Sequence, residues 1–158
     1  MAVGTVSSSV VDDPWQLIAT NTPTGTTTST FSSISGYKKL MVVWKALTTG
    51  SAVELYLRVN NDSTSGNYAT RNANYGNGDI AANNLIALNG YSKASNSGLI
   101  VIENANQSTP HQISDFADDS TYTFFGAILL ADPITRIDIT NNGSNFSSGS
   151  IQLWGVAA

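Results

Sequence analysis

The sequence predicts an all-β protein, an antiparallel sandwich or barrel with a short N-terminal arm, and three observations predict it. Charged residues make up only 11% of the 158 residues while hydrophobic ones reach 41%, and the balance is Ser, Thr, Asn and Gly. Thr, Val, Ile and aromatics suit pleated strands, and Asn, Gly and Ser suit turns. The hydrophobic period is two, not 3.6. Short apolar runs recur along the chain between clusters of Gly, Asn, Ser or Pro, the spacing of a sandwich or barrel.

Taken in order, residues 1–14 are rich in small side chains, end in Asp12-Asp13-Pro14, and read as an arm outside the core; residues 15–158 form one domain. The first apolar run is 15–19. In YKKLMVVWKAL, at 37–47, Leu40, Val42, Trp44 and Ala46 alternate with Met41, Val43, Lys45 and Leu47. Both faces are apolar, which describes an interior strand. At 53–59, Val53, Leu55, Leu57 and Val59 face one way and Glu54, Tyr56 and Arg58 the other, a half-buried strand. Thr48-Thr49-Gly50-Ser51 has hairpin length, so these two strands are expected to pair. Leu40, Val42, Trp44, Leu55, Leu57 and Ile137 are the expected core. Further strands are expected at 85–88, 99–102, 122–130, 134–139 and 151–156. The best helix candidate, 79–88, carries Asn83 and Asn84 in its middle and amounts to one turn at most.

The length suffices for one core without metal or disulfide staples. A formal charge of -4, with seven basic residues scattered along the chain, argues against a surface that tracks nucleic-acid phosphates. No cysteine is present, which removes disulfides, thiolate metal sites and a Cys nucleophile. The N-terminal stretch lacks the basic and apolar regions of a secretory signal, and no run approaches the ~20 apolar residues of a membrane span. A soluble protein made in the cytoplasm, with no membrane partner, is expected.

Four groups of residues are candidates for chemistry. His111 is the sole histidine and lacks partners at any triad or zinc spacing, so it reads as a surface or turn residue. Asp115, Asp118 and Asp119 offer carboxylates for a hydrolytic pair but crowd one Ser-Asp loop, where acids ordinarily make turns. Asn60-Asn61-Asp62-Ser63-Thr64 offers hard oxygens to calcium, yet has one acid only and not the alternate-position spacing of a calcium loop. It reads instead as a turn closed by its own side chains, with Gly66 free to take a positive φ. Trp15, Trp44 and Trp154 invite comparison with a sugar-stacking platform, but all lie in apolar strand patterns and are expected in the core. No catalytic residue, metal or cofactor is assigned.

Two sets of motifs carry a family resemblance. Ser35-Gly36-Tyr37-Lys38-Lys39-Leu40 opens a long apolar strand; a second strand ends in Asn60-Asn61-Asp62, and Asn67-Tyr68-Ala69 follows a Ser/Thr/Gly loop. Near the C-terminus, Ile134-Thr135-Arg136-Ile137-Asp138-Ile139 precedes Gly143-Ser144-Asn145-Phe146 and Gly149-Ser150-Ile151-Gln152-Leu153-Trp154-Gly155-Val156. This arrangement resembles a family of short tailed-bacteriophage virion proteins. There a Tyr-Lys-x-Leu strand is followed by Asn-Gly-Asp and Asn-Tyr-Ala or Asn-Tyr-Ser, and the closing strand ends Leu-Tyr-Gly-Ile. Asn61 stands where the family has glycine, and Trp154 where it has tyrosine.

The resemblance implies a jelly-roll-like sandwich in a virion, serving as a head decoration (cement) protein or as a tail-fibre adhesion module. The chain's short approach from Met1 to Trp15 favours the head, with the major capsid protein or other virion proteins as partners and a homotrimer as the assembly. On that reading the arm attaches to the partner by strand addition, with Val3, Val6, Val10 and Val11 filling alternate contacts. The rival expectation is a receptor-binding module recognising host surface glycan, and a third is a glycan-cleaving enzyme.

Overall fold

The computed structural model describes residues 14–72, 80–83, 85–88, 93–118 and 124–158. Twelve strands are found among them: β1 (Gln16–Asn21), β2 (Thr28–Phe31), β3 (Tyr37–Val53), β4 (Leu55–Val59), β5 (Tyr68–Asn72), β6 (Ile80–Asn83), β7 (Ile86–Ala87), β8 (Lys93–Glu103), β9 (His111–Asp118), β10 (Phe124–Ile128), β11 (Ile137–Asn141) and β12 (Phe146–Ala157). They form an eight-stranded sheet, β1-β12-β3-β8-β9-β10-β5-β6, and a four-stranded sheet, β2-β11-β4-β7, antiparallel throughout.

The pairing is nested. β1 pairs β12, β2 pairs β11, β3 pairs β8 and β4 pairs β7. This long double ribbon wraps on itself so that β12 also meets β3 and β11 also meets β4. Such wrapping is the jelly roll, and it places successive strands of the ribbon in opposite sheets. Two hairpin-like insertions, β5–β6 and β9–β10, join each other and widen the larger sheet beyond β8.

Between the sheets lies one core. Leu40, Val42, Leu55, Leu57 and Ile137 are fully buried and Trp44 nearly so, as the period-two reading expects. From the large sheet Ile100, Ile102, Ile151 and Leu153 meet Leu57, Val59, Ile137 and Ile139 of the small one.

The expected hairpin at 48–51 does not form. β3 runs through Thr48-Thr49-Gly50-Ser51 without a turn, and β4 continues in the other sheet after the single break at Glu54. Hairpin length and a glycine permit a turn but do not require one; here β3 has partners, β12 and β8, on both edges. The alternation within β3 also slips. Leu47, not Ala46, joins the core, because the register shifts between Trp44 and Leu47 and Ala46 takes φ +46. A bulge of one residue exchanges the two faces beyond it. Opposite sits Gly149 at φ +101, where a Cβ would lie 2.3 Å from the Ala46 carbonyl oxygen. The Ala46 amide, displaced from the ladder, donates to Ser97 Oγ at 2.9 Å.

Other boundaries move. Within the helix candidate at 79–88, the described residues Ile80–Asn83 and Ile86–Ala87 are strands, β6 and β7. Asp115 and Asp118, read as part of a Ser-Asp loop, lie instead in β9, in which buried His111 and Ile113 alternate with exposed Gln112 and Ser114. Trp15 and Trp154 are not core residues: Trp15 is exposed, and Trp154 points out of the large sheet, paired with Leu17 on one side and Met41 on the other. An apolar strand pattern does not distinguish the inner face of a sandwich from an apolar outer one.

Candidate functional site

The turn at 60–68 folds as a self-closed loop. The Asp62 amide donates to the Val59 carbonyl at 2.8 Å, and Asn60 and Asn61 between them have φ of 50° and 55°. Two consecutive positive φ values make the I′ pattern, which asparagine tolerates better than other side chains, so Asn61 does the work of a glycine here. Both carboxylate oxygens of Asp62 are occupied. Oδ1 accepts from the Thr64 amide at 3.1 Å and the Thr64 hydroxyl at 2.7 Å, and Oδ2 accepts from Asn67 Nδ2 at 2.8 Å. Partial burial acts to raise the Asp62 pKa, but the bonds from Asn67 and Thr64 outweigh it and hold it below the usual value. Beneath, the Tyr68 hydroxyl is buried against Val59 and the Asp62 carbonyl, and burial pushes its pKa up.

Asn60 anchors the loop to the segment entering β11. Its Nδ2 donates to the Pro133 carbonyl at 2.9 Å, while its Oδ1 accepts from the amides of Thr135 and Arg136 at 2.8 and 3.1 Å. These contacts account structurally for Asn60, Asp62, Thr64 and Asn67. No group of three His, Asp or Glu side chains suited to a metal ion occurs among the described residues.

His111 is fully buried, contrary to the surface expectation. Its Nδ1 lies 2.9 Å from the Asn104 carbonyl oxygen and its Nε2 2.9 Å from that of Asp132. The ring ties two connections together and has no face or nitrogen open to a substrate. Asp119 lies outside the described residues, as do the side chains of Asp115 and Asp118, whose backbones belong to β9. Val3, Val6, Val10 and Val11 also lie outside them.

A polar groove of about 270 Å³ lies on the outer face of the small sheet, lined by Thr28, Arg58, Asn61, Arg136, Asp138 and Thr140. Strand alternation creates it: Leu57, Val59, Ile137 and Ile139 turn inward, leaving Arg58, Asp138 and Thr140 outward. Asp138 is nearly buried and receives Arg136 in two-pronged fashion, with Nε at 3.0 and 2.9 Å from its two oxygens and Nη2 at 2.9 Å from Oδ1. The Thr30 hydroxyl adds a third donor at 2.6 Å. The hydrogen bonds and charge of Asp138 raise the pKa of Arg136 further. Beyond Thr140, the Tyr56 hydroxyl donates to Glu54, and burial, with that carboxylate, pushes the phenol up to about 12.

Sequence reasoning missed this groove. Its signal was present as outward Arg58 and the Arg136-x-Asp138 pair, but only the cross-strand register Asp138 to Arg58 and Thr30 brings them together. A second hollow, of about 170 Å³, lies by Ile34, Tyr37, Ala105, Pro133 and Ile134 and is lined by no charged side chain. No family model matches the chain, and no curated protein matches it.

Proposed function

We propose that this protein is a virion structural protein of a tailed bacteriophage, a homotrimeric decoration protein that binds the outer surface of the head and stabilises it. The observation that carries the reading is the outer face of the large sheet. Leu17, Trp154, Met41 and Val101 form one cross-strand row on it, and Val43 and Leu99 lie in the next. Leu17 is 50% exposed, Met41, Val43, Leu99 and Trp154 are half-buried, and Val101 is buried. A contiguous apolar face of this kind on a soluble sandwich marks a surface that a protein neighbour covers. In the trimer that neighbour is a second copy, and closed symmetry is the usual way a small domain enlarges such a contact.

The jelly-roll topology and the motif resemblance support the virion role. β1 lies at the edge of its sheet, directly after residues 1–13, so an arm there can engage a partner. Two measurements test the reading. Light scattering at micromolar concentration should give a trimer, and added protein should raise the disruption temperature of purified undecorated heads. A protein that binds tail fibres or cells but leaves heads unchanged would shift the assignment to the adhesion role. A chain beginning at Trp15 should fold and trimerise yet occupy heads poorly; full occupancy would move attachment from the arm to the sandwich.

A further inference from the structure

Arg58 faces two carboxylates and is bonded to neither. Asp138 is its direct cross-strand partner, yet the oxygens of that side chain are directed to Arg136 and Thr30. Asp62 is near enough for its charge to interact with that of Arg58, but both its oxygens are held by Thr64 and Asn67. The Arg58 Nε is buried and has no hydrogen-bond partner among the described residues. One guanidinium donor is thus unfilled, the side chain lines the groove, and the fork of its N–H groups matches a carboxylate.

The surroundings narrow the ligand further. Thr28, Thr140 and Asn61 line the same groove; the Thr140 hydroxyl donates to the Thr27 carbonyl at 3.2 Å and is bonded to that of Thr28 at 2.9 Å, so both hydroxyls keep lone pairs for the protons of a guest. Arg136, fixed by Asp138, keeps a side chain 41% exposed at the groove's rim. The groove is polar and, at about 270 Å³, below the usual range for drug-sized ligands. We propose that the outer face of the small sheet binds one carboxylated hexose unit of an acidic polysaccharide. Arg58 receives the carboxylate, and Thr28, Thr140 and Asn61 bond the ring hydroxyls. This site lies on the sheet opposite the apolar face and does not depend on the decoration role.

The test is a titration of the full chain, followed by isothermal calorimetry and amide NMR shifts, with D-glucuronate and D-galacturonate as probes. D-glucose and D-galactose serve as neutral controls and glutarate as an acyclic carboxylate. One of the uronates should bind in the millimolar range or tighter and shift amides of β4 and β11, with the neutral sugars at least tenfold weaker. Arg58→Gln should weaken that binding at least tenfold, and Arg58→Lys should restore part of it, both variants retaining the wild-type melting temperature within a few degrees. Thr140→Val should weaken the uronate while leaving glutarate unaffected. Glutarate binding as tightly as the uronates would overturn the sugar assignment in favour of an acidic protein side chain. No binding by either uronate, or binding unchanged in Arg58→Gln, would overturn the site itself.

Discussion

The two outer faces of this sandwich are built by the same alternation and have opposite chemistry. On the small sheet, Thr28, Thr30, Arg58, Asp138 and Thr140 point outward, with Thr28 bonded to Thr140 and Thr30 to Asp138. On the large sheet, Met41, Val43, Leu99, Val101 and Trp154 occupy the equivalent positions, with Lys39 and Glu103 paired at 3.2 Å beside them. Antiparallel sheets commonly leave one face solvated, which describes the small sheet. The large sheet departs from that pattern. The first face meets its polar groups within the sheet through bonds such as Thr30 to Asp138, whereas the second leaves apolar side chains, Leu17 among them, exposed.

The sharpest way to break the comparison is to remove the interior that holds both faces in register. Trp44→Ala should cost on the order of 3–5 kcal/mol through lost packing and a residual cavity. Urea unfolding at the wild-type midpoint would mean that Trp44 is not the core residue its 1% exposure indicates. Gly149→Ala should cost on the order of 2–3 kcal/mol, since it places a Cβ against the Ala46 backbone at a positive φ. Its effect should appear in thermal melts as a lowered Tm with unchanged cooperativity.

A smaller effect on the fold, but a decisive one on assembly, is expected from the paired faces themselves. On the proposed trimeric assembly, the double substitution Met41→Glu with Val43→Glu should give a monomer in light scattering, at little cost to the folded chain. The mirror change Thr28→Glu with Thr140→Glu should leave the trimer intact. Equal effects from the two would erase the distinction between the faces.

The smallest expected effects are the pH dependences of the polar side. The folded-state pKa of Asp62 lies below its ordinary value of 3.8, so its contribution is complete above that value. It is lost as pH falls through the lower folded pKa. Asp62→Asn should therefore lose stability at neutral pH, by about 1 kcal/mol, and converge with wild type in strong acid. Tyr56 has the opposite sign: its folded value of about 12 against an ordinary 10.0 means that its contribution is present below pH 10. That contribution disappears as pH rises through the folded value. Phenolate absorbance in Tyr56→Phe against wild type should locate that late titration.

Much of this protein is determined by sequence alone. Period-two alternation places Leu55, Leu57 and Val59 inward and Tyr56 and Arg58 outward, because successive side chains of any strand must take opposite sides. Asn60-Asn61-Asp62 specifies its turn locally, because asparagine tolerates a positive φ and an aspartate can bond the backbone two residues on. What only the tertiary structure decided is everything that depends on which strand lies beside which. The run at 48–51 extends, not turns: Thr48 pairs with both β12 and β8, Thr49 with β12, and β3 meets β8 again at Val53. Leu47 enters the core instead of Ala46 because a bulge opposite Gly149 shifts the register. His111 is buried because two carbonyls from distant connections, Asn104 and Asp132, meet its ring. The groove at Arg58 exists because residues about 80 positions apart become cross-strand neighbours. Alternation is a property of one strand, whereas register, burial of a polar ring and the assembly of a site are properties of pairs, and the energies that select those pairs act only after the chain has closed on itself.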